Sequence, residues 1–129
     1  TEFRLYAVPV LPRLRRALER CLPSPYGVIV RATQAAPRAC VTQAGTIEIH
    51  MPASQSYQMF YEASGRPLVG VTVNVVRRED VLEKFGEQAD LIVLTNEPMN
   101  PQSYALLDFT QDPPQAVRGE LPAWLKAFS

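Results

Sequence analysis

Three observations in the sequence predict an α+β fold, a mainly antiparallel sheet with about three short helices packed on one face. Apolar residues recur at helical spacing in three separate stretches. A middle block is rich in β-branched and aromatic residues, with turn residues between its segments. The 12 prolines are spread along the chain, which implies short elements joined by stiff turns. At 129 residues the chain suits a single compact domain over 1–129. That size buries roughly two-thirds of the unfolded surface, so neither metal nor disulfide is needed for folding.

The elements follow in order. Glu2–Val8 alternates Phe3, Leu5 and Ala7 with Glu2, Arg4 and Tyr6, the period of a half-buried strand. Pro12 suits the first turn of a helix running to Leu22, because its missing N–H costs nothing there. Leu11, Leu14, Leu18, Cys21 and Leu22 make the apolar face of that helix, and Pro23 and Pro25 stop it. Five strands are expected next, at Tyr26–Gln34, Ala39–Gln43, Thr46–Met51, Tyr57–Ala63 and Leu68–Val76. Ala44-Gly45 closes a tight hairpin and Ser64-Gly65-Arg66-Pro67 a longer turn. Val69, Val71, Val73 and Val75 give the clearest strand face. Arg78–Gln88 reads as a short helix with Val81, Leu82, Phe85 and Ala89 inward. Asp90–Asn96 and Ser103–Thr110 are two further strands, joined through Pro98 and Pro101. A Pro-rich turn at 112–115 precedes a C-terminal helix, 120–128, that docks through Leu121, Trp124, Leu125 and Phe128.

This order of helix, strand block, helix, two strands and helix resembles the small dimeric secretion-effector chaperones. The basic first helix and the extra strand depart from that family, whose members are usually acidic.

The net charge of zero conceals an asymmetry along the chain. Residues 1–40 carry seven arginines against Glu2 and Glu19, a net of +5, whereas residues 79–129 carry nine acids against three bases, a net of −6. Arg13, Arg16 and Arg20 are spaced i, i+3, i+7 on the first helix, with Arg15 beside them. Glu79, Glu83 and Glu87 are spaced i, i+4, i+8 on the later helix, with Asp80 beside them. Like charges at such spacing cost a helix a few tenths of a kcal/mol, so either an opposite charge elsewhere relieves each stripe or each is a screened, hydrated face.

Catalytic signatures are absent from the sequence. The six glycines stand singly, leaving no phosphate-cradling loop, and no nucleophile elbow appears. Two cysteines without CxxC spacing and a single histidine give no metal site. If Ala44-Gly45 closes a hairpin, Cys40 opposes Ile49 and faces inward with Ile47, Ile49 and Met51. His50 then faces outward beside Glu48, on the other side of the sheet from Cys40, which separates the thiol from the only imidazole able to activate it. Both cysteines are expected to be reduced thiols.

The resulting expectation is a non-enzymatic protein-binding module, a chaperone, adaptor, inhibitor or assembly subunit, self-associating and without cofactor or metal. Its partner-binding faces are the basic Arg13, Arg15, Arg16, Arg20 and the acidic Glu79, Asp80, Glu83, Glu87. A viral or mobile-element accessory role belongs to the same class. The first alternative is a nucleic-acid-binding protein that uses the Arg-rich helix on phosphates. The second is a small hydrolase-like enzyme with a carboxylate/His site. No apolar run is long enough to cross a bilayer and no secretory signal opens the chain, so a cytoplasmic location without membrane contact is expected.

Overall fold

A computed structural model describes residues 3–22, 26–51, 54–66, 68–70, 77–93 and 105–128. They fall into two compact units, Thr1–Ala53 with Tyr104–Ser129, and Ser54–Ser103.

The first unit is built on a four-stranded sheet in the order β2-β1-β3-β4. Its strands are β1 (Tyr26–Arg31), β2 (Thr46–His50), β3 (Ala105–Asp108) and β4 (Gln115–Arg118). β1 pairs antiparallel with β2 and parallel with β3, and β3 pairs antiparallel with β4. The described sheet is therefore mixed, two antiparallel pairings and one parallel, so the expected mainly antiparallel character holds while the parallel β1–β3 pair was not anticipated. The α+β class itself holds. Parallel neighbours need a long crossover between them, and no local pattern in the sequence announces which distant strand will lie beside β1.

Register divides the sheet into two faces. Val28 and Val30 of β1, Ile47 of β2 and Leu107 of β3 point to one side and are buried. Gly27, Ile29 and Arg31 alternate onto the other side with Glu48, His50 and Asp108. Against the apolar side packs α2 (Pro12–Cys21), which buries Leu14, Ala17, Leu18 and Cys21. Pro12 occupies its first turn as expected, and the helix ends at Cys21. Leu11 precedes the helix and is exposed, so it leaves the expected apolar face. A 3₁₀ turn, Ala123–Phe128, replaces the expected C-terminal helix and seats Leu125 in the same core.

Several other expected elements take a different form. Residues 3–6 form a helical turn, α1 (Phe3–Tyr6), and only Ala7 bridges to Ala32 in the expected extended manner. Thr33 holds this turn, donating its hydroxyl to the Leu5 carbonyl at 2.6 Å. The strand expected at 39–43 is absent: Arg38–Cys40 is a 3₁₀ turn, and β2 takes β1 as its partner. The Ala44-Gly45 turn is present, with Gly45 at φ +79°, a conformation that favours glycine. β4 begins at Gln115, the last residue of the expected Pro-rich turn, and runs through 116–118, to which no element was assigned. It pairs with β3 through a register shift that sets Ala116 opposite Leu107 and Arg118 opposite Leu106.

The second unit contains two described helices, α3 (Gln55–Ser64) and α4 (Arg78–Phe85). α3 replaces the strand expected at 57–63, and its ends explain why. The Ser54 hydroxyl accepts from the Tyr57 N–H at 3.2 Å, and Gly65 in the left-handed conformation donates its N–H to the Tyr61 carbonyl at 2.8 Å. Tyr57 and Tyr61 stack one helical turn apart, with ring centroids 6.5 Å apart. α4 ends at Phe85, before the expected Gln88. Pro23, Pro25, Pro67, Pro98 and Pro101, the valines at 71, 73 and 75, and residues 94–96 of the expected strand at 90–96 lie outside the described residues. Residues 68–70 and 91–93 carry no strand.

Candidate functional site

All four arginines of the predicted basic face, Arg13, Arg15, Arg16 and Arg20, are exposed on α2. The opposite side of that helix is locked into the core, so the arginine backbone positions are fixed by Leu14, Ala17, Leu18 and Cys21. The face is partly neutralised by the chain itself. Arg13 pairs with Asp112, which is supplied by the acidic C-terminal segment beyond β3. Arg15 Nε lies 3.2 Å from Glu19 Oε1, one turn along the same helix. Arg4, from α1, reaches the same carboxylate oxygen at 3.4 Å. Arg20 stacks on the Trp124 ring, its guanidinium carbon 4.3 Å from the centroid. Arg16 makes no ion pair with any described residue.

Of the two outcomes open to this stripe, a hydrated face or one relieved from elsewhere, Asp112 supplies part of the second. Trp124, the aromatic neighbour of Arg20, had no signal in the sequence. The i, i+4 relation of Arg15 to Glu19 was a readable signal. The long-range pairs to Arg4 and Asp112 depend on the tertiary fold and had none.

Beside the Arg13–Asp112 pair lies a cleft of about 190 Å³. Buried Leu14 and Phe109 line it together with Arg31 and Asp112. Its size falls below the roughly 300–1,000 Å³ typical of small-molecule sites.

The acidic residues sit in the second unit. Glu79 and Glu83 are exposed on α4, Asp80 is half-buried, and Glu87 lies in the turn beyond the helix. The expected i, i+4, i+8 row therefore does not continue along one helix. Glu79 and Asp80 occupy the first turn and Lys84 the last, the arrangement that the helix dipole favours. Arg77 Nε approaches Glu79 at 3.6 Å. Glu79, Asp80 and Lys84 thus favour their own helix, while Glu79 and Glu83 keep the i, i+4 repulsion that was expected.

The thiols and the histidine stay apart. Cys21 is buried in α2, where burial pushes its thiol up to about 11, against a smaller opposing pull from Arg20. Cys40 is partly buried against the core alongside Ile49 and Met51, as expected, but it reaches them from a 3₁₀ turn. His50 Nε2 lies 3.2 Å from Glu48 Oε2 on the other sheet face. Its ring covers Gly27, its partner in the register, and a Cβ on residue 27 would overlap the imidazole. Among the described residues no cluster of three or more His, Cys, Asp or Glu is placed to hold a metal ion.

Fold and surface together define a mixed α+β protein that presents an arginine-bearing helix on one side of its sheet. The sequence matches the family model for Sua5_yciO_yrdC, described as telomere recombination, over residues 1–119. The chain belongs to the Sua5/YciO/YrdC family. In structure it is similar to E. coli YciO, with a TM-score of 0.75 and 25% identity over 91% of this chain and 60% of that one. It is also similar to the H234A/Y235A form of P. abyssi Sua5, with a TM-score of 0.82 and 22% identity over 95% of this chain and 40% of that one. The chain thus spans less than two-thirds of the length of either. No curated protein matches it significantly by sequence. Family membership overturns the expectation of a protein-binding adaptor, inhibitor or assembly subunit, the viral or mobile-element role, and the resemblance to secretion-effector chaperones. That expectation rested on charged helix faces, and a cationic face by itself does not distinguish an acidic protein from another polyanion.

Proposed function

We propose that this chain is an RNA-binding domain of a tRNA-modification protein, and that the α2 arginine face contacts RNA phosphates. The Sua5/YciO/YrdC family is associated with RNA binding and tRNA modification, which supports the nucleic-acid reading over a protein partner. The observation that carries it is the arrangement of Arg13, Arg15, Arg16 and Arg20 along the exposed side of a helix whose other side is buried. Such a helix presents cations at fixed spacing, which phosphate contacts require for register. The role proposed for this face is phosphate binding.

The test is a mobility-shift titration of a short tRNA-derived hairpin at several salt concentrations, with the wild-type chain and the Arg16→Glu variant. Arg16 is exposed and makes no ion pair with any described residue, so reversing it leaves the core untouched. Wild-type affinity should fall steeply with log salt, and the variant should bind about tenfold or more weakly with a shallower slope. Absence of binding at low salt, or unchanged binding by the variant, would sink the proposal.

A further inference from the structure

The arginine face carries its own carboxylates, and we infer that Glu19 and Asp112 compete with the ligand for its guanidinium groups. They thereby restrict the face to polyanions of high charge density. This rests on the phosphate-binding reading and concerns the selectivity of the same surface.

The argument starts from the ion pairs. A single oxygen, Glu19 Oε1, serves two arginines, Arg15 at 3.2 Å and Arg4 at 3.4 Å. Asp112 engages Arg13. Three cations near the face are thus partnered by two carboxylates, and each arginine and carboxylate keeps a third or more of its side-chain surface exposed. Exposed pairs of this kind are weak, so a stronger anion can exchange with them. An isolated phosphate gains one contact and must leave the carboxylates beside it, whose repulsion offsets that gain. A nucleic-acid duplex supplies one charge for about every 1.7 Å of its axis, dense enough to engage several arginines together. Glu19 and Asp112 therefore act as an internal competitor, and the face responds to many phosphates at once more than to one.

Geometry makes the two carboxylates unequal. Loss of Glu19 releases two arginines, one on α2 and one on α1, whereas loss of Asp112 releases one and also opens the edge of the adjoining cleft. The Glu19→Gln change should accordingly have the larger effect. Both positions are at the surface, and neither substitution removes a core contact.

Two measurements test this and keep it separate from the RNA reading. In the first, wild type, Glu19→Gln, Asp112→Asn and Glu48→Gln are eluted from heparin-agarose with a salt gradient. Glu48 pairs with His50 on the sheet face opposite the one that α2 covers, so its variant removes the same charge away from the α2 arginines. Glu19→Gln should elute at the highest salt, Asp112→Asn next, and Glu48→Gln close to wild type. In the second, the four proteins are titrated with the tRNA-derived hairpin and separately with inorganic phosphate. Glu19→Gln should bind the hairpin about three- to tenfold tighter with a steeper salt slope, and should show a relatively larger gain for phosphate. Equal elution of Glu19→Gln and wild type, or an equal gain from Glu48→Gln, would overturn the inference whatever the RNA result. Ordered elution without hairpin binding would uphold the competition and overturn RNA as the ligand.

Discussion

Cys21 and Cys40 show how far a single residue's environment follows from its neighbours in sequence. Helical spacing placed Cys21 on the buried face of α2, and it has no exposed surface. Cys40 was read through a hairpin that does not form, yet it packs against the core with Ile49 and Met51 because a 3₁₀ turn delivers it there. His50 was correctly placed beside Glu48, since that needed only the alternation within β2. The two thiols should differ in chemistry. Burial raises the Cys21 thiol from 9.0 to about 11, because the thiolate is poorly solvated inside. A folded value above the unfolded one means that this group supports folding fully below about pH 9. That support is lost as pH rises through about 11. Alkylation of the native protein with iodoacetamide, followed by mass spectrometry, should modify Cys40 first and Cys21 only on unfolding. Equal rates would contradict the burial of Cys21.

Among the elements, α2 was legible and α3 was not. A proline at the first turn and apolar residues every three or four positions identify α2 without ambiguity. In α3 the aromatic residues suggested a strand, but Gln55–Ser64 contains no Val, Ile or Thr, and Ser54 and Gly65 bracket it with a cap at each end. Capping outweighed aromatic content. β4 carries no strand signal of its own: its four residues are too few for a pattern, and only pairing with β3 makes them a strand. The C-terminal 3₁₀ turn was placed correctly in function though not in form. Its Leu125 is 2% exposed and its Trp124 receives Arg20 from α2. Leu125→Ala should destabilise the protein by about 2–5 kcal/mol, the cost of a cavity in a close-packed core. Chemical denaturation checks this; a loss below about 1 kcal/mol would mean that the turn is not part of the core.

For the whole molecule, the class of fold was readable from the sequence and the connectivity was not. The first unit is assembled from both ends of the chain, with Ser54–Ser103 inserted between β2 and β3. Nothing in a local pattern reveals that residues so far apart will pair. The arrangement makes a direct prediction. A protease site introduced in the turn after α4, at residues 86–89, should yield two fragments that stay together on gel filtration. They remain joined by the β1–β3 pairing and by Leu107, Phe109 and Leu125 in the common core. Separation of the fragments without denaturant would show that the sheet depends on an uncut chain.

The parallel pairing also sets a timetable for synthesis. β1 and β2 leave the ribosome before β3 and can pair at once, but one edge of β1 waits for Ala105–Asp108 to be translated. Through that interval Val28 and Val30 lack Leu107 and Phe109 as cover, and an unpaired strand edge is open to other nascent chains. The period of greatest exposure therefore ends only when β3 emerges. Slow translation across the inserted unit lengthens the risk, and rapid delivery of β3 is what closes it.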